Sequence, residues 1–393
     1  MAPAKTLARF ARHARALGIT RLADVTGLDY LDIPVFMAVR PNARSLSVAQ
    51  GKGLDEAAAR ASAFMEAAEL DHAERIARRP VVASYAALKK RAEVVDPSLL
   101  PRLRGASFHA GKRIAWLDGR TLQDNTRIFV PLELVDADFT VGRRSLSGAF
   151  LRSTNGLASG NHFLEAVCAG LCEVIERDAT FLFGLRGEEE QAKRRLTLRS
   201  IDDRDCRALI DRLSKCGIRI AVWDMTTEIG VASFMCRISE APGNGRSRSG
   251  SFFGYGSHLA RDVALLRAIT EAVQSRLTAV VGARDDLKPD DYRVPETEDL
   301  LIALALDAFE RAGARRRFRD VPSRLNRDFE GDLRDLLSGL RQAGLDQAIV
   351  FDLTRPELGI PVVRVVVPGL EVATAAGHCA PGRRARAFAR ARR

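Results

Sequence analysis

Acidic residues at helical spacing occur in three separate stretches of the chain, and each stretch follows a glycine-containing segment. The acids are Glu66 and Glu69, then Glu165, Glu173 and Glu176, and finally Glu271, where Gln274 stands in place of a second acid. Residues three or four apart share one face of a helix. Facing carboxylates suit hard cations such as Mg²⁺, which take oxygen ligands and bridge to phosphates. The spacing therefore indicates a site for Mg²⁺ and a nucleotide.

The middle stretch, residues 159–178, predicts a helix with one polar and one apolar face. Ser159 or Asn161 can cap its first turn, because their side-chain oxygens can accept from unpaired amides. The apolar face consists of Leu164, Val167, Leu171, Val174 and Ile175. A solvated helix face can also be acidic. The polar stripe here includes Asn161, Ala169 and Cys172 in place of a Lys/Glu mixture, which favours a functional site.

Glycine-flanked helix starts are typical of phosphate sites. The three segments are Gly51-Lys52-Gly53, Ser159-Gly160-Asn161 and Gly254-Tyr255-Gly256. Lys52 could contact a phosphate or be an exposed loop lysine, and the sequence favours neither. Arg276 and Arg284 could pair with phosphate charge, although surface arginines are commoner. None of these stretches matches a Walker motif, a kinase signature or a dinucleotide fingerprint.

Composition limits the class of protein but does not choose its function. The 393 residues are 46% hydrophobic and 28% charged, which is ordinary for a globular chain. The formal net charge of +11 is compatible with nucleic acid, acidic peptides or nucleotide phosphates. The sequence has no apolar run long enough to span a membrane. The six cysteines form no CxxC pair, so reduced cytoplasmic thiols are expected instead of a disulfide scaffold or a Cys₄ zinc site.

The elements that must position these residues predict a mixed α/β (α+β) fold, in which loop–helix units with acidic faces pack on mixed sheets. Helices are expected at residues 1–17, 55–78, 203–215 and 332–342, with a helical start at 82–105. Strands are expected at 35–39, 46–48, 114–117, 128–134, 219–224, 231–238, 348–353 and 361–367, and polar loops at 143–157 and 240–250. Val222-Trp223-Asp224-Met225-Thr226 matches Val350-Phe351-Asp352-Leu353-Thr354, which indicates a duplicated helix–strand–strand unit.

Three segments are expected along the chain. Residues 1–45 hold a basic helix and the first strand, residues 46–375 form the catalytic domain, and residues 376–393 form a basic, disordered tail. A charge-dense connector at residues 188–200 is the expected boundary inside the domain. The Arg-rich, acid-free N-terminus also resembles a transit peptide, but a plain amphipathic helix is the simpler interpretation.

Three stretches together resemble the YcaO family: GKGLDEAAARASAFMEAAE, STNGLASGNHFLEAVCAGLCEVIERDA and RAITEAVQSRLTAVVGARDD. The nucleotide site of that family uses an SxxxExxE helix, an NxxxE helix start and an ExxER continuation. The matching positions are Ser62, Glu66, Glu69, Asn161, Glu165, Glu173, Glu176 and Arg177. The resemblance runs from about Gly18 to about Glu371 and implies a YcaO-type fold with ATP and Mg²⁺ as cofactors.

The resemblance also implies a reaction, in which ATP activates a backbone amide of a ribosomally made peptide or protein. The amide oxygen would attack the γ-phosphate, and a nucleophile would then displace the phosphorylated oxygen. The implied metal ligands are Glu66, Glu69, Glu165, Glu173 and Glu176, which would act in catalysis together with Arg177. The expected nucleotide-binding set is Ser62, Asn161, Lys52, Glu271, Gln274, Arg276 and Arg284.

The C-terminal sequence bears on the subfamily. Azoline-forming members of the family end in a proline-rich PxPxP tail, whereas this chain ends in Ala380-Pro381-Gly382 followed by Arg/Ala residues. It also shows no fused E1-like or zinc-bearing domain. With the stretch at residues 359–364, these features are similar to stand-alone members that are paired with a TfuA protein and form backbone thioamides. We therefore expect a homodimer that forms thioamides with a TfuA-like or precursor-recognition partner, with cyclodehydration to azolines as the alternative.

Two interpretations from other functional classes stay open. The first is a nucleic-acid- or ribosome-associated accessory factor that uses the basic tail. Only arginine clustering supports it, without interleaved aromatic residues that could stack on bases, so nucleic acid is not the expected partner. The second is a regulatory ATP binder that performs no chemistry.

Overall fold

The protein is described here from a computed structural model, which describes residues 1–140, 147–240, 250–286, 313–373 and 379–391. Within those ranges the helices are α1 (Pro3–Phe10), α2 (Glu56–Glu74), α3 (Tyr85–Leu88), α4 (Phe163–Gly184), α5 (Glu188–Lys193), α6 (Arg204–Lys215), α7 (Arg261–Val281), α8 (Phe329–Gln342) and α9 (Arg383–Arg390). The strands are β1 (Arg21–Asp24), β2 (Val35–Val39), β3 (Val48–Lys52), β4 (Val81–Ser84), β5 (Arg113–Thr121), β6 (Arg127–Pro131), β7 (Leu157–Ser159), β8 (Ile218–Asp224), β9 (Ala232–Glu240), β10 (Ser251–His258), β11 (Ile349–Asp352) and β12 (Val362–Val366). Parts of the two polar loops expected from the sequence, residues 143–146 and 241–249, lie outside the described residues.

The described strands form three sheets, and their strand pairs are antiparallel. The first sheet has the order β1-β2-β3, and the second has the order β10-β9-β8. The third and largest has the order β4-β5-β11-β12-β7, with β6 paired to β5. A mixed α+β architecture is therefore confirmed.

Each of the three longest helices in the described ranges covers one sheet. Helix α2 packs on β2 and β3, α7 packs on β9 and β10, and α4 packs on β7 and β12. Helix α2 also contacts β7, α4 contacts β10, and α7 contacts β3, so the three helices converge at the edges of their sheets. Their apolar faces are buried in the cores, as shown by Phe64 on α2, Leu171 on α4 and Ile269 on α7, each fully buried. Their polar faces are left to point toward one another.

Glycines bring two of these helices unusually close to their strands. A Cβ atom at Gly51 of β3 would lie 1.9 Å from the backbone nitrogen of Ala63, and one at Gly254 of β10 would lie 2.1 Å from that of Ala272. Both distances are far shorter than any contact between non-bonded atoms. The expectation that these glycines lie in loops is wrong for Gly51 and Gly254, which lie within strands and serve helix–strand packing.

The duplicated helix–strand–strand unit is confirmed. Helix α6 leads into the β8–β9 hairpin, and α8 leads into the β11–β12 hairpin. In both copies the helix is followed by a glycine in the left-handed region, Gly217 at φ +75° and Gly344 at φ +74°. A glycine adopts that conformation without steric cost, so each helix ends before it. The two hairpins belong to different sheets.

Several predicted boundaries are wrong. Strand β3 begins at Val48, where the expected strand ends, and it continues through Lys52. The expected helix at residues 82–105 is largely absent, because Val81–Ser84 forms β4 against β5 and the helix that follows is only the four-residue α3. The β-branched pair Val81-Val82 suits a strand better than a helix. The leading helix is also shorter than expected, since α1 ends at Phe10 and a 3₁₀ turn follows.

The C-terminal tail contains structure that the sequence does not reveal. The Arg384 guanidinium lies 3.0 Å from both carboxylate oxygens of Asp178 on α4. The buried Glu371 carboxylate accepts from the backbone N–H groups of Gly382 and Ala385 at 2.8 and 2.7 Å. The prediction of a disordered tail is therefore wrong for α9, because its partner Asp178 lies 206 residues earlier in the chain.

The proposed division into segments stays a prediction. The strands of the first sheet come from both sides of the boundary at residue 45, since β2 and β3 pair along their length. Part of the connector at residues 188–200 forms the short helix α5.

Among the described residues, none of the helices combines the length and the apolar character that crossing a membrane requires.

Candidate functional site

A cavity of about 900 Å³ lies where α2, α4 and α7 converge. Strand β3 and the β7–α4 junction complete its walls. All but one of the side chains predicted for the site line it: Lys52, Ser62, Glu66, Glu69, Asn161, Glu165, Glu173, Glu176, Arg177, Glu271, Gln274 and Arg284. The three acidic stretches, far apart in sequence, therefore face one shared space.

Helix α2 presents three of these residues because its two faces differ in chemistry. Asp55 caps the helix by accepting from the backbone N–H of Ala58 at 2.7 Å. Small residues on one face lie against the first sheet, which leaves Ser62, Glu66 and Glu69 on the cavity side. A helix that packs through alanines sits close to its sheet, so its acidic face is held rigidly.

Helix α4 starts after both of its predicted caps, Ser159 and Asn161. Its N-cap is His162, whose Nδ1 accepts from the backbone N–H of Leu164 at 3.2 Å, so Ser159 and Asn161 do not cap it. The backbone N–H of Asn161 instead donates to the Glu165 carboxylate at 2.8 Å. This bond fixes Glu165 at the first turn, where the helix dipole favours a negative charge.

The cavity face of α4 continues through Ala169, Glu173, Glu176 and Arg177. Cys172, expected on this stripe, is 3% exposed and packs in the apolar core instead. Burial raises the pKa of its thiol to about 12, so it stays protonated and unreactive at neutral pH.

Helix α1 forms a further wall that sequence reasoning missed. Met1, Pro3 and Thr6 line the cavity. Thr6 Oγ1 donates to Asn161 Oδ1 at 3.1 Å, and Arg9 donates to the Asn161 carbonyl oxygen at 3.0 Å. The N-terminal helix therefore holds a predicted nucleotide-binding side chain in place.

Burial changes the acidity of four carboxylates that line the cavity, two on α2 and two on α4. Desolvation raises the pKa of Glu66 to about 7 and that of Glu69 to about 8. It also raises the pKa of Glu176 to about 7, with Glu271 adding to the effect, and it raises the pKa of Glu173. Buried carboxylates that repel one another hold protons near neutral pH until a cation arrives.

Glu271 on α7 behaves in the opposite way. Lys52 Nζ donates to its Oε2 at 2.8 Å, and the backbone N–H of Tyr255 donates to its Oε1 at 3.3 Å. Burial alone would raise the pKa of Glu271, but Lys52 and Arg177 outweigh it, so the pKa lies below its ordinary value. Arg177 is also buried, which opposes its charge, yet Glu176 and Glu173 raise the pKa of its guanidinium.

The remaining predicted residues differ in position. Gln274 Nε2 donates to the Gln50 carbonyl oxygen at 3.0 Å and lines the cavity. Arg284 also lines it, with its guanidinium paired to Asp286 at 2.8 and 2.5 Å.

Arg276 does not line the cavity, so its predicted contact with phosphate is wrong. Its guanidinium lies 2.7 Å from Asp29 and 2.9 Å from Glu240. Five residues after Glu271, its side chain points about 140° away around the helix.

Besides α1, sequence reasoning missed Arg267 and the contact of Ser159 with Glu69. Arg267 lines the cavity and lies one helical turn before Glu271, so spacing alone could have identified it. Ser159 Oγ donates to Glu69 Oε1 at 2.6 Å. No sequence signal marks that pair, because the two residues are 90 positions apart.

The donor set fits Mg²⁺ bound together with phosphate oxygens. In the part of the chain that the structure describes, no three His, Cys, Asp or Glu side chains form a ready-made metal site. Instead, among the described residues, six glutamates and four basic side chains line the cavity, an excess of two formal negative charges. Carboxylates are the oxygen ligands that Mg²⁺ accepts alongside nucleotide phosphates.

Comparisons with known proteins agree with this donor set. The family described as YcaO cyclodehydratase, ATP- and Mg²⁺-binding, matches residues 50–371. An uncharacterised protein in the tfuA 3′ region of Rhizobium leguminosarum bv. trifolii is 37% identical over 390 residues, which is 98% of this chain and 91% of that protein.

Two solved structures share the fold. YcaO from Methanopyrus kandleri, bound with AMPPCP and Mg²⁺, has a TM-score of 0.74 and 24% identity, over 94% of this chain and 92% of that one. A heterocyclase in complex with substrate and cofactor has a TM-score of 0.75 and 22% identity over 95% of this chain. This chain spans only 52%, about half, of the heterocyclase. At such identities the structures establish the fold alone. The family match covers most of the chain, and we conclude that this protein belongs to the YcaO family, whose cofactors are ATP and Mg²⁺.

Proposed function

We propose that this protein uses ATP to activate a backbone amide of a ribosomally made peptide or protein, and that the product is a thioamide formed with a partner protein. The observation that carries the proposal is the convergence of carboxylates from α2, α4 and α7 on one cavity. Membership of an ATP- and Mg²⁺-binding family supports it.

The proposed chemistry has two steps. The amide oxygen would attack the γ-phosphorus of ATP, the bond to the β,γ-bridging oxygen would break, and ADP would leave. A hydrosulfide ion would then add to the activated amide carbon. Hydrogen phosphate would leave with the former amide oxygen and the S–H proton, which forms the C=S bond of the thioamide. Both steps depend mainly on positioning and on charge stabilisation, because an amide oxygen is a poor nucleophile.

Five glutamates would hold the metal: Glu66, Glu69, Glu165, Glu173 and Glu176. When bound, Mg²⁺ would neutralise triphosphate charge that otherwise opposes the approach of the amide oxygen. Glu66, Glu69 and Glu176 suit this role, because a carboxyl group that titrates near neutral pH gives up its proton to a cation readily.

Arg177 would orient the catalytic carboxylates. Its guanidinium is buried among Glu173, Glu176 and Glu271, which keep it charged. A fixed cation among acids sets the position of each carboxylate and offers charge to a transferred phosphoryl group. Removing it would leave three buried carboxylates to repel one another.

Neutral and basic side chains at the cavity wall would bind the nucleotide. Ser62 and Gln274 offer hydrogen bonds, and Lys52 and Arg284 offer positive charge. Thr6 donates a hydrogen bond to the side-chain oxygen of Asn161. The amide NH₂ group of Asn161 is then the group that would donate to a ligand.

The thioamide proposal with a TfuA-like partner is supported by the 37% identical relative, which is located in a tfuA 3′ region. A homodimer is proposed on family resemblance, and a cytoplasmic reaction is proposed because all six cysteines are free thiols, as in reducing compartments. The nucleic-acid alternative loses support, since Arg384 of the basic tail is paired with Asp178 and Glu228 inside the protein.

Mass spectrometry of a candidate peptide tests the proposal. The peptide is incubated with the protein, a TfuA-type partner, Mg·ATP and sulfide. A gain of about 16 Da, oxygen replaced by sulfur, is expected, whereas a loss of about 18 Da would show azoline formation from the same activated amide. Omission of ATP and the Glu66→Gln variant are the controls. Nucleotide binding with neither a mass change nor phosphate release would contradict the enzyme proposal and favour a regulatory ATP binder.

A further inference from the structure

Lys52 connects acids from two of the helices that form the cavity. Its ammonium group lies 2.8 Å from Glu271 on α7. It is also the cation with the largest electrostatic effect on Glu66 of α2. Lys52 reaches this position because β3 runs between the two helices and ends at Lys52 itself.

The ion pair of Lys52 and Glu271 lies where an entering metal ion could take the place of the lysine ammonium group. Lys52 and Glu271 are 23% and 25% exposed, so solvent and ligands reach them through the cavity. Each oxygen of Glu271 accepts one hydrogen bond, one from Lys52 and the other from the backbone N–H of Tyr255. A metal ion that used the oxygen bonded to Lys52 would lie close to the ammonium group and would be repelled by it.

Two of the other three cations that line the cavity are differently placed. Arg284 is paired with Asp286, and Arg177 is buried among the acids of α4. Lysine has a compact charge on a flexible four-carbon stem, so it can move from a carboxylate to a phosphate oxygen with little rearrangement. Of these three side chains, Lys52 is the one suited to changing partners when a ligand enters.

We propose that Lys52 is a resident cation that occupies the acidic cavity before nucleotide arrives, so that the divalent metal enters only together with the nucleotide. The inference rests on the proposed function of the cavity and specifies its order of binding. In the nucleotide-free protein Lys52 neutralises Glu271 and opposes metal binding. When a triphosphate enters, its oxygens attract Lys52, and the released carboxylate joins the metal–nucleotide complex.

The test is Mn²⁺ binding without nucleotide, measured by electron paramagnetic resonance of the free ion. The variants are Lys52→Met, which removes the charge, and Lys52→Arg, which keeps it. Lys215→Met is the matched control, because Lys215 is exposed at the end of α6, outside the cavity lining. We expect Lys52→Met to bind Mn²⁺ at least about tenfold more tightly than the wild type, since a repelling charge has been removed. Lys52→Arg and Lys215→Met should bind as the wild type does.

Equal Mn²⁺ affinity of the wild type and Lys52→Met would overturn the inference. Lys52→Gln serves as a second charge-removing variant if the methionine variant misfolds, as judged by circular dichroism. The same titration with AMPPCP separates this inference from the proposed function. Failure of the wild type to bind Mn²⁺ with AMPPCP would contradict the proposed function, whereas equal nucleotide-free affinities contradict only the role of Lys52.

Discussion

The β3–α2 and β10–α7 units pack in the same way, but the charged side chains that they present to the cavity differ. In each, a glycine on the strand faces two alanines one turn apart on the helix. Gly51 meets Ala59 and Ala63, and Gly254 meets Ala268 and Ala272. The two helices therefore lie equally close to their sheets. Their cavity faces differ, because the residue before the second alanine is Ser62 in one unit and Glu271 in the other.

The comparison separates two causes that act on buried carboxylates. Glu66 and Glu69 on α2 are dominated by desolvation, which raises the pKa of each. Glu271 on α7 is desolvated as well, but Lys52 and Arg177 lower its pKa below the ordinary value. Desolvation therefore acts on all three carboxylates, and the cations within reach decide which way the pKa moves. The α2 acids are poised to receive a metal, and the α7 acid already has a cation.

The largest expected effect comes from breaking the packing that the two units share. Gly51→Ala and Gly254→Ala should each lower the free energy of unfolding by about 3 kcal/mol or more, since the new Cβ meets helix backbone that cannot move aside. Gly27→Ala is the control, because nothing lies within 4 Å of a Cβ at this exposed glycine, and it should change stability by less than about 0.5 kcal/mol. Urea unfolding measures all three. A mild effect at only one of the strand glycines would show that the two units do not pack alike.

The next largest effect concerns ATP turnover and compares a residue of α2 with a residue of α7. Glu66→Gln should lower peptide-dependent ATP turnover by about 100-fold or more, because it removes a proposed metal ligand while keeping the shape of the side chain. Gln274→Ala on α7 should lower it by about tenfold or less, because it removes one neutral hydrogen bond. Phosphate release at saturating Mg·ATP measures both. Comparable losses in the two variants would remove the distinction between α2 and α7.

A smaller effect concerns the pH dependence of stability in protein stripped of divalent cations. The folded pKa of Glu69, about 8, exceeds its ordinary value of 4.5, so the folded state binds more protons than the unfolded state between these values. Glu69 therefore makes stability fall as pH rises from about 4.5 to about 8. Glu69→Gln should raise the melting temperature at pH 8 and have little effect at pH 4.5.

Glu271→Gln should have the opposite sign. The folded pKa of Glu271 is lowered, so its ionised form contributes stability above the unfolded value of 4.5, and that contribution is lost as pH falls. The variant should melt at a lower temperature than the wild type at pH 8. Differential scanning calorimetry across pH compares both variants. The same sign of change at pH 8 for the two variants would contradict the electrostatic contrast between the helices.

The smallest effect is a release of protons when metal and nucleotide bind. At pH 7, Glu66 and Glu176 titrate near the working pH and Glu69 is mostly protonated, so binding a cation should expel protons. Calorimetric titration of Mg·AMPPCP in buffers of different ionisation enthalpy should therefore give heats that depend on the buffer. Buffer-independent heats would show that these carboxylates were already ionised.

The sequence predicted the acids of the cavity better than it predicted their supports. Local spacing on α2 and α4 placed Glu66, Glu69 and Glu176 on the correct faces, because helical periodicity is a short-range property. Contacts between distant elements carry no such signal. The pairing of Lys52 with Glu271 spans 219 positions, so it required the fold.

Two further differences have the same origin. The sequence predicted loops at Gly51 and Gly254, because glycine is common in turns. Its role in close helix–strand packing depends on which helix packs against the strand. Arg276 was expected at the phosphates, but Asp29 and Glu240 bind it on another side of α7. Both outcomes were decided by tertiary partners that a local pattern does not identify.

The central claim is that acids from separate helices act together to hold a metal–nucleotide complex. Its most direct test is Mn²⁺ binding in the presence of AMPPCP, followed by electron paramagnetic resonance in the wild type, Glu66→Gln and Glu176→Gln. The account predicts that the wild type binds Mn²⁺ with AMPPCP and that each variant, one on α2 and one on α4, weakens binding by about tenfold or more. Wild-type affinity in both variants would contradict it.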